Sequence, residues 1–211
     1  MYKVIKARVS RVTKEGTLFH ALVPNESLTD ELRLYSDNGL FNGELRIDDG
    51  RTIRAKQRKK AWATIGDISL WNGDDRETNH WWLKIMYMTA SGESKFSLSN
   101  CTVTTARHYI SFLLDFCLEW NVPLSEPIIN RTDDIDAMIY ATIKHKRCIV
   151  CGAEGEIHHW DAIGMGRNRN TYDDSGHRKL CLCRFHHNEA HNIGVKAFEE
   201  KHHVYGIIYK E

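Results

Sequence analysis

Cys148-Ile-Val-Cys151, His158-His159 and Cys183-Arg-Phe-His186-His187-Asn-Glu-Ala-His191 set metal-ligating side chains at close, ordered spacings near the end of a 211-residue chain. Nine of its twelve histidines lie beyond residue 140. Packing alone gives no reason to concentrate imidazole, whereas one zinc held for shape and a second metal held for chemistry do. The bland alternative, buried thiols and surface imidazoles, leaves two matched spacings unexplained.

A Cys-x-x-Cys turn puts two thiolates on one side of a tight loop, and tetrahedral zinc needs a second pair from elsewhere. Cys183 and His186 repeat the same spacing about thirty residues later, so Cys148, Cys151, Cys183 and His186 match a Cys3His structural zinc site. Cys181 in place of Cys183 is the competing assignment. His187 and His191, four apart, stack on one helical face and can share a divalent ion, with His186 turned toward the structural zinc. His158 and His159 follow an extended-looking segment, where neighbouring side chains face opposite ways, so one imidazole reaches the metal while the other addresses a water. Trp160 reads as core, and Asp161 as a carboxylate able to orient an imidazole. His145, His202 and His203 read as surface or packing residues. Arg167-Asn-Arg169-Asn lies between the halves of the site, as a solvated loop or a contact to flanking phosphates.

The elements that must position these groups read as follows. Residues 1–50 look strand-rich: Lys3 to Arg11 alternates, Thr17 to Val23 is a second short run, and Asp48-Asp49-Gly50 is a hairpin-type turn. A helical pattern runs from about Ile53 to Leu70. Trp81 to Met88 suits a strand or a short buried helix equally. Thr104 to Trp120 is a helix with Ala106, Ile110, Leu113, Leu114, Cys117 and Leu118 on one face, stopped by Asn121-Val122-Pro123. Asp133 to Lys144 is a further helix leading into the cysteine pair. The expected fold is α+β: a β-rich N-terminal part (1–50), a helical middle (51–128), and a linker helix with a zinc-stabilised C-terminal module (129–211).

With 42% hydrophobic and 27% charged residues the composition is that of an ordinary globular protein of one or two domains. No apolar run approaches the roughly 20 residues that span a bilayer, and the N-terminus alternates charged and apolar residues, so the expectation is a cytoplasmic protein without a membrane partner. Six cysteines without an export signal argue for metal ligands over disulfides, with Cys101 and Cys117 as buried thiols. The net charge of +1 hides an asymmetry: Arg51 to Lys60 carries six bases and no acid, whereas residues 61–130 carry eight acids and four bases. Arg51, Arg54, Lys56, Gln57, Arg58, Lys59 and Lys60 could track a sugar-phosphate backbone, although such a strip is often only a solvated helix face.

Over residues 145–195 the Cys-x-x-Cys, the His-His pair and the closing Cys-x-x-His-His-x-x-x-His resemble the HNH endonuclease family with its ββα-metal fold. The resemblance implies a structural Zn²⁺ and a catalytic divalent metal (Mg²⁺, Mn²⁺, Ni²⁺ or Zn²⁺) held by His158, His187 and His191. It makes His159 the general base that activates water. The family's middle Asn has no clear counterpart; His177 is the substitute, with Asn168 or Asn170 as poorer ones.

A second resemblance covers about residues 51–125. Gln57-Arg-Lys59-Lys60-Ala-Trp62-Ala-Thr-Ile-Gly66-Asp67-Ile-Ser69, with Glu119-Trp120-Asn-Val-Pro later, is similar to the phage Orf (NinB) family of recombination mediators. Gln57, Lys59, Lys60 and Trp62 match its pattern; Arg54, Lys56 and Arg58 are this chain's own additions. That resemblance implies a homodimer in a bacterial host cell, a preference for single-stranded DNA, and contact with the host single-strand-binding protein and a recombinase. Together the two imply a phage-encoded recombination factor carrying a nuclease. The rival class is a non-catalytic mediator whose zinc-bound fold serves only for interaction.

Overall fold

Turn chemistry and capping residues divide the chain into short strands at its two ends and a run of helices between them. The computed structural model describes residues 6–14, 16–22, 50–161 and 176–209. Asp48, Asp49, Arg167 and Arg169, and with them Asn168 and Asn170, lie outside the described residues. Strands β1 (Lys6–Val12) and β2 (Thr17–Leu22) form an antiparallel hairpin. Helices α1 (Ala55–Asn72), α2 (Arg76–Ser91), α3 (Val103–Glu119), α4 (Ile128–Arg131) and α5 (Ile135–Lys144) follow. The chain then enters β3 (Glu156–His159), β4 (Arg178–Leu182), α6 (Arg184–Ile193), α7 (Val195–His202) and β5 (Ile207–Ile208). The architecture is mixed α+β, with a two-stranded sheet and a three-stranded sheet ordered β3-β4-β5.

The helices begin and end where the sequence supplies caps. Asp75 opens α2 by accepting from the backbone N–H groups of Glu77 and Thr78 at 3.0 and 2.9 Å, and Gly92 closes it with φ 74°. This settles the ambiguous run Trp81 to Met88 as helix. Thr102 caps α3 through Thr105 N–H at 3.0 Å, and Asp134 caps α5. Along α3, Ala106, Ile110, Leu113 and Leu114 are fully buried, so the expected apolar face is the one that packs. Tyr87, Phe96 and Tyr109 form an edge-on aromatic cluster with ring separations of 5.2 to 5.7 Å.

The core runs without a break from Ile53 to Val204. Helix α5 is the joint, since Met138, Ile139 and Ile143 are buried and it packs on both α3 and β4. Beneath the helices a buried ion pair ties α1 to α4: Arg131 Nη2 lies 3.1 Å from Asp67 Oδ2, and both side chains are less than a tenth exposed. Ser125 hydroxyl donates to the same Asp67 oxygen at 3.2 Å. Among the described residues no helix is long and apolar enough to cross a membrane.

Candidate metal centre

The chain is very tight where it delivers its ligands. A Cβ on Gly155 would sit 2.9 Å from Cys181 Sγ and from the Leu182 carbonyl, and one on Gly206 would sit 2.4 Å from Trp160 Cβ. Only glycine lets these segments approach so closely. Strands β3 and β4 pair antiparallel, with Glu156 opposite Leu182, His158 opposite Leu180 and His159 opposite Lys179. Helix α6 follows β4 directly, so the hairpin and the helix form a ββα unit.

The first donor set joins the Cys148–Cys151 turn to the start of α6. Ligand atoms of Cys148, Cys151, Cys183 and His186 all lie within 4.8 Å of one another. Cys151 Sγ is 3.7 Å from Cys183 Sγ, and His186 Nδ1 is 3.4 Å from Cys148 Sγ and 3.3 Å from Cys183 Sγ. Sulfurs about 2.3 Å from a tetrahedral zinc are about 3.8 Å apart, and a sulfur and an imidazole nitrogen about 3.6 Å, so these residues fit that ion. Cys183 is the N-cap of α6. Burial works against its thiolate, but the backbone N–H groups of His186 and Phe185 and the neighbouring thiols outweigh that and hold its pKa below the ordinary value. Burial pushes Cys148 up to about 12, so its thiolate needs a cation beside it. The alternative ligand Cys181 is fully buried and raised to about 12 by burial, and it is not among the clustered thiols.

The second set comes from β3 and the rest of α6. Ligand atoms of His158, His187 and His191 lie within 4.8 Å of one another, and the Nε2 atoms of His187 and His191 are 3.2 Å apart. Two imidazole nitrogens on one zinc-like ion lie about 3.3 Å apart at tetrahedral angles, so this set also fits a divalent metal. Burial, and then the neighbouring His187 and His191, lower His158 to about 4, leaving the neutral imidazole that a metal requires. Glu156 accepts from His187 Nδ1 at 2.7 Å, which fixes the tautomer that presents Nε2 to the cluster. Sequence reading passed over Glu156. Its only signal was strand alternation, which puts it on the face of His158, and its partner is 31 residues away.

The other expected site residues fall elsewhere. His159 is half-buried, on the alternate face of β3 from His158 and opposite Lys179, itself 8% exposed. His177 precedes β4, close enough to Asp161 for its charge to lower that carboxyl. Asp161 holds Arg178, accepting from its backbone N–H at 2.9 Å and from Nη2 at 2.6 Å, and these bonds bring its pKa to about 2. The carboxylate bonded to a histidine of this donor set is Glu156, while Asp161 bonds Arg178. His202 and Lys201 both grip Glu189 behind His186.

In the basic strip the cations divide. Arg51, Arg54, Lys56 and Lys59 are exposed. Gln57 is buried and donates to the Val103 carbonyl at 3.3 Å. Arg58 donates to the carbonyls of Leu98 and Ser99 at 2.7 and 2.9 Å, and Lys60 pairs with Asp133 at 2.6 Å. Trp62 packs on His80 with ring centres 4.8 Å apart.

Fold and donor sets together define an α+β protein whose C-terminal ββα unit can accommodate two metal ions. The family model described as "Putative HNHc nuclease" matches residues 26–210, and the chain belongs to that family. The match runs through the helical middle as well as the metal centre. No curated protein and no solved structure matches the chain.

Proposed function

We propose that the chain is a metal-dependent endonuclease hydrolysing phosphodiester bonds in DNA. The observation that carries this reading is the His158, His187 and His191 donor set within 4.8 Å, braced by Glu156. These three histidines would hold the catalytic ion, while Cys148, Cys151, Cys183 and His186 would hold a zinc that fixes the first turn of α6. Bound there, such an ion would supply positive charge for the scissile phosphate and the leaving 3′ oxygen. His159 takes the proton from the attacking water. His177 supports that geometry from the position of the family's Asn. Arg51, Arg54, Lys56 and Lys59 offer exposed cations to the phosphate backbone, with Arg167 and Arg169 as further contacts.

The test is cleavage of labelled single-stranded, duplex and branched DNA with Mg²⁺, Mn²⁺, Ni²⁺, Zn²⁺ or EDTA, run beside a binding assay. His159→Ala should lose about 100-fold or more in cleavage rate while binding and melting stay unchanged. Undiminished cutting by that variant removes His159 as the base. Tight binding with no cutting under any metal favours the non-catalytic mediator.

The finer assignment, a phage-type recombination factor preferring single-stranded or branched DNA, rests on the resemblance of residues 51–125 to the Orf family. Several residues of that pattern have structural work of their own: Gln57 and Asp67 are buried and bonded, and Trp62 packs on His80. A homodimer, and contacts with a single-strand-binding protein and a recombinase, belong to this same assignment. Equal affinity for single-stranded and duplex DNA argues against it.

A further inference from the structure

On helix α6 the ligands of the second donor set share their face with an arginine. Residues 184, 187, 188 and 191 are spaced i, i+3, i+4 and i+7, so Arg184 and Asn188 stand on the same side as His187 and His191. Arg184, Asn188 and His191 are exposed and His187 is half-buried, so that side is open to solvent. Arg184 and His187 also meet the same carboxylate: Glu156 Oε1 is 2.7 Å from His187 Nδ1 and 3.8 Å from Arg184 Nη1. The guanidinium therefore stands one carboxylate away from the donor set.

Its hold on that carboxylate is loose. A separation of 3.8 Å is too long for a hydrogen bond, and the two side chains are 83% and 56% exposed, so the pair contributes little. Three other cations of the module are engaged or covered: Asp161 holds the Arg178 guanidinium at 2.6 to 3.2 Å, Glu189 holds Lys201, and Lys179 is 8% exposed. Among the described residues the Arg184 side chain makes no hydrogen bond. A guanidinium offers five N–H donors in a planar fork that matches two oxygens of a phosphate.

We infer that Arg184 is a phosphate clamp for the substrate strand: its guanidinium leaves Glu156 and takes a backbone phosphate beside the one drawn to the His158, His187 and His191 set. Glu156 keeps its bond to His187 through that exchange, so binding the strand does not disturb the ligand. The inference rests on the nuclease reading for the identity of the substrate, and it adds a binding residue on the ligand helix itself.

The test compares the full, zinc-loaded chain with R184Q, which removes the charge, and with R184K, which keeps the charge and loses the fork. Affinity for a short DNA duplex is measured across a salt series without added Mg²⁺, Mn²⁺ or Ni²⁺, Mn²⁺ affinity is measured by calorimetric titration, and cleavage of the same duplex is followed with each metal. The inference expects R184Q to bind duplex about tenfold more weakly. The salt slope should fall by about 0.9, the value for one lost phosphate contact, and R184K should recover part of the affinity and most of the slope. Zinc content, melting and Mn²⁺ affinity should not change, whereas a role exerted through Glu156 would move the last of these. Unaltered DNA affinity and salt slope in R184Q, with wild type cutting, overturn the inference and leave the nuclease reading intact. Weakened binding by R184Q, with wild type cutting under no metal, supports the clamp and overturns the nuclease reading instead. Lower Mn²⁺ affinity with unaltered DNA affinity overturns the clamp in favour of an action through Glu156. A wild type that binds no DNA overturns both.

Discussion

Glu156 shows how much a single side chain outside the ligand set can control. Its carboxylate holds His187 through Nδ1, so Nε2 keeps its lone pair for an ion. E156Q should weaken Mn²⁺ or Ni²⁺ binding about 10- to 100-fold by calorimetric titration, with zinc content unchanged. Unchanged affinity would reduce Glu156 to a surface acceptor. His80 makes a different kind of prediction. It sits between Trp62 and Tyr109, and burial, assisted by Lys84, lowers its pKa below 6.5. The unfolded chain then binds a proton more readily than the folded one, so stability is complete above pH 6.5 and declines as pH falls through the folded value. The urea midpoint of wild type should fall more between pH 7.5 and 5.5 than that of H80Q; parallel profiles would exclude His80 as the source.

At the scale of elements, α6 carries ligands for both donor sets. Cys183 and His186 face one cluster, and His187 and His191 the other, from a helix of ten residues. C151S should therefore lower zinc content and the melting temperature, and should also weaken divalent binding at His158, His187 and His191, read by the same titration. Unchanged divalent affinity would show that α6 keeps its place without the zinc. Elements such as α3 and α5 were legible because apolar residues recur at helical spacing and caps mark their ends. The run Trp81 to Met88 was not, because a continuous aromatic stretch fits either period; Asp75 and Gly92, outside it, decide. The spacing of cysteine and histidine pointed to the residues that the structure draws together, since i, i+3 and i, i+4 relations are local. What it hid were relations across the fold: Glu156 with His187, Arg58 with the Leu98 and Ser99 carbonyls, and Lys60 with Asp133. A strip of cations in sequence does not reveal which of them are already bonded at home.

At the scale of the whole molecule, the helical middle and the metal centre share one continuous core, with a charged pair buried beneath the helices. Arg131→Met should cost about 3 to 5 kcal/mol, because it strands Asp67 without its cation. The D67N/R131M double variant should recover part of that loss; chemical denaturation measures both, and an additive double variant would show that the two side chains do not interact. Gly206→Ala tests the seam at the other end of the core. The added methyl would collide with Trp160, whose backbone continues β3, and should cost about 1 to 3 kcal/mol. Wild-type stability would show that the C-terminal segment can move aside.

The shared helix has a consequence for the cell that makes this protein. On the proposed assignment, one short rod holds the anchor ion at its first turn and the working ion further along. Scarcity of the anchor metal would then raise the concentration of working metal that the enzyme needs. A chain newly made in a zinc-starved cell would threaten the surrounding genome less until the nutritional supply recovered.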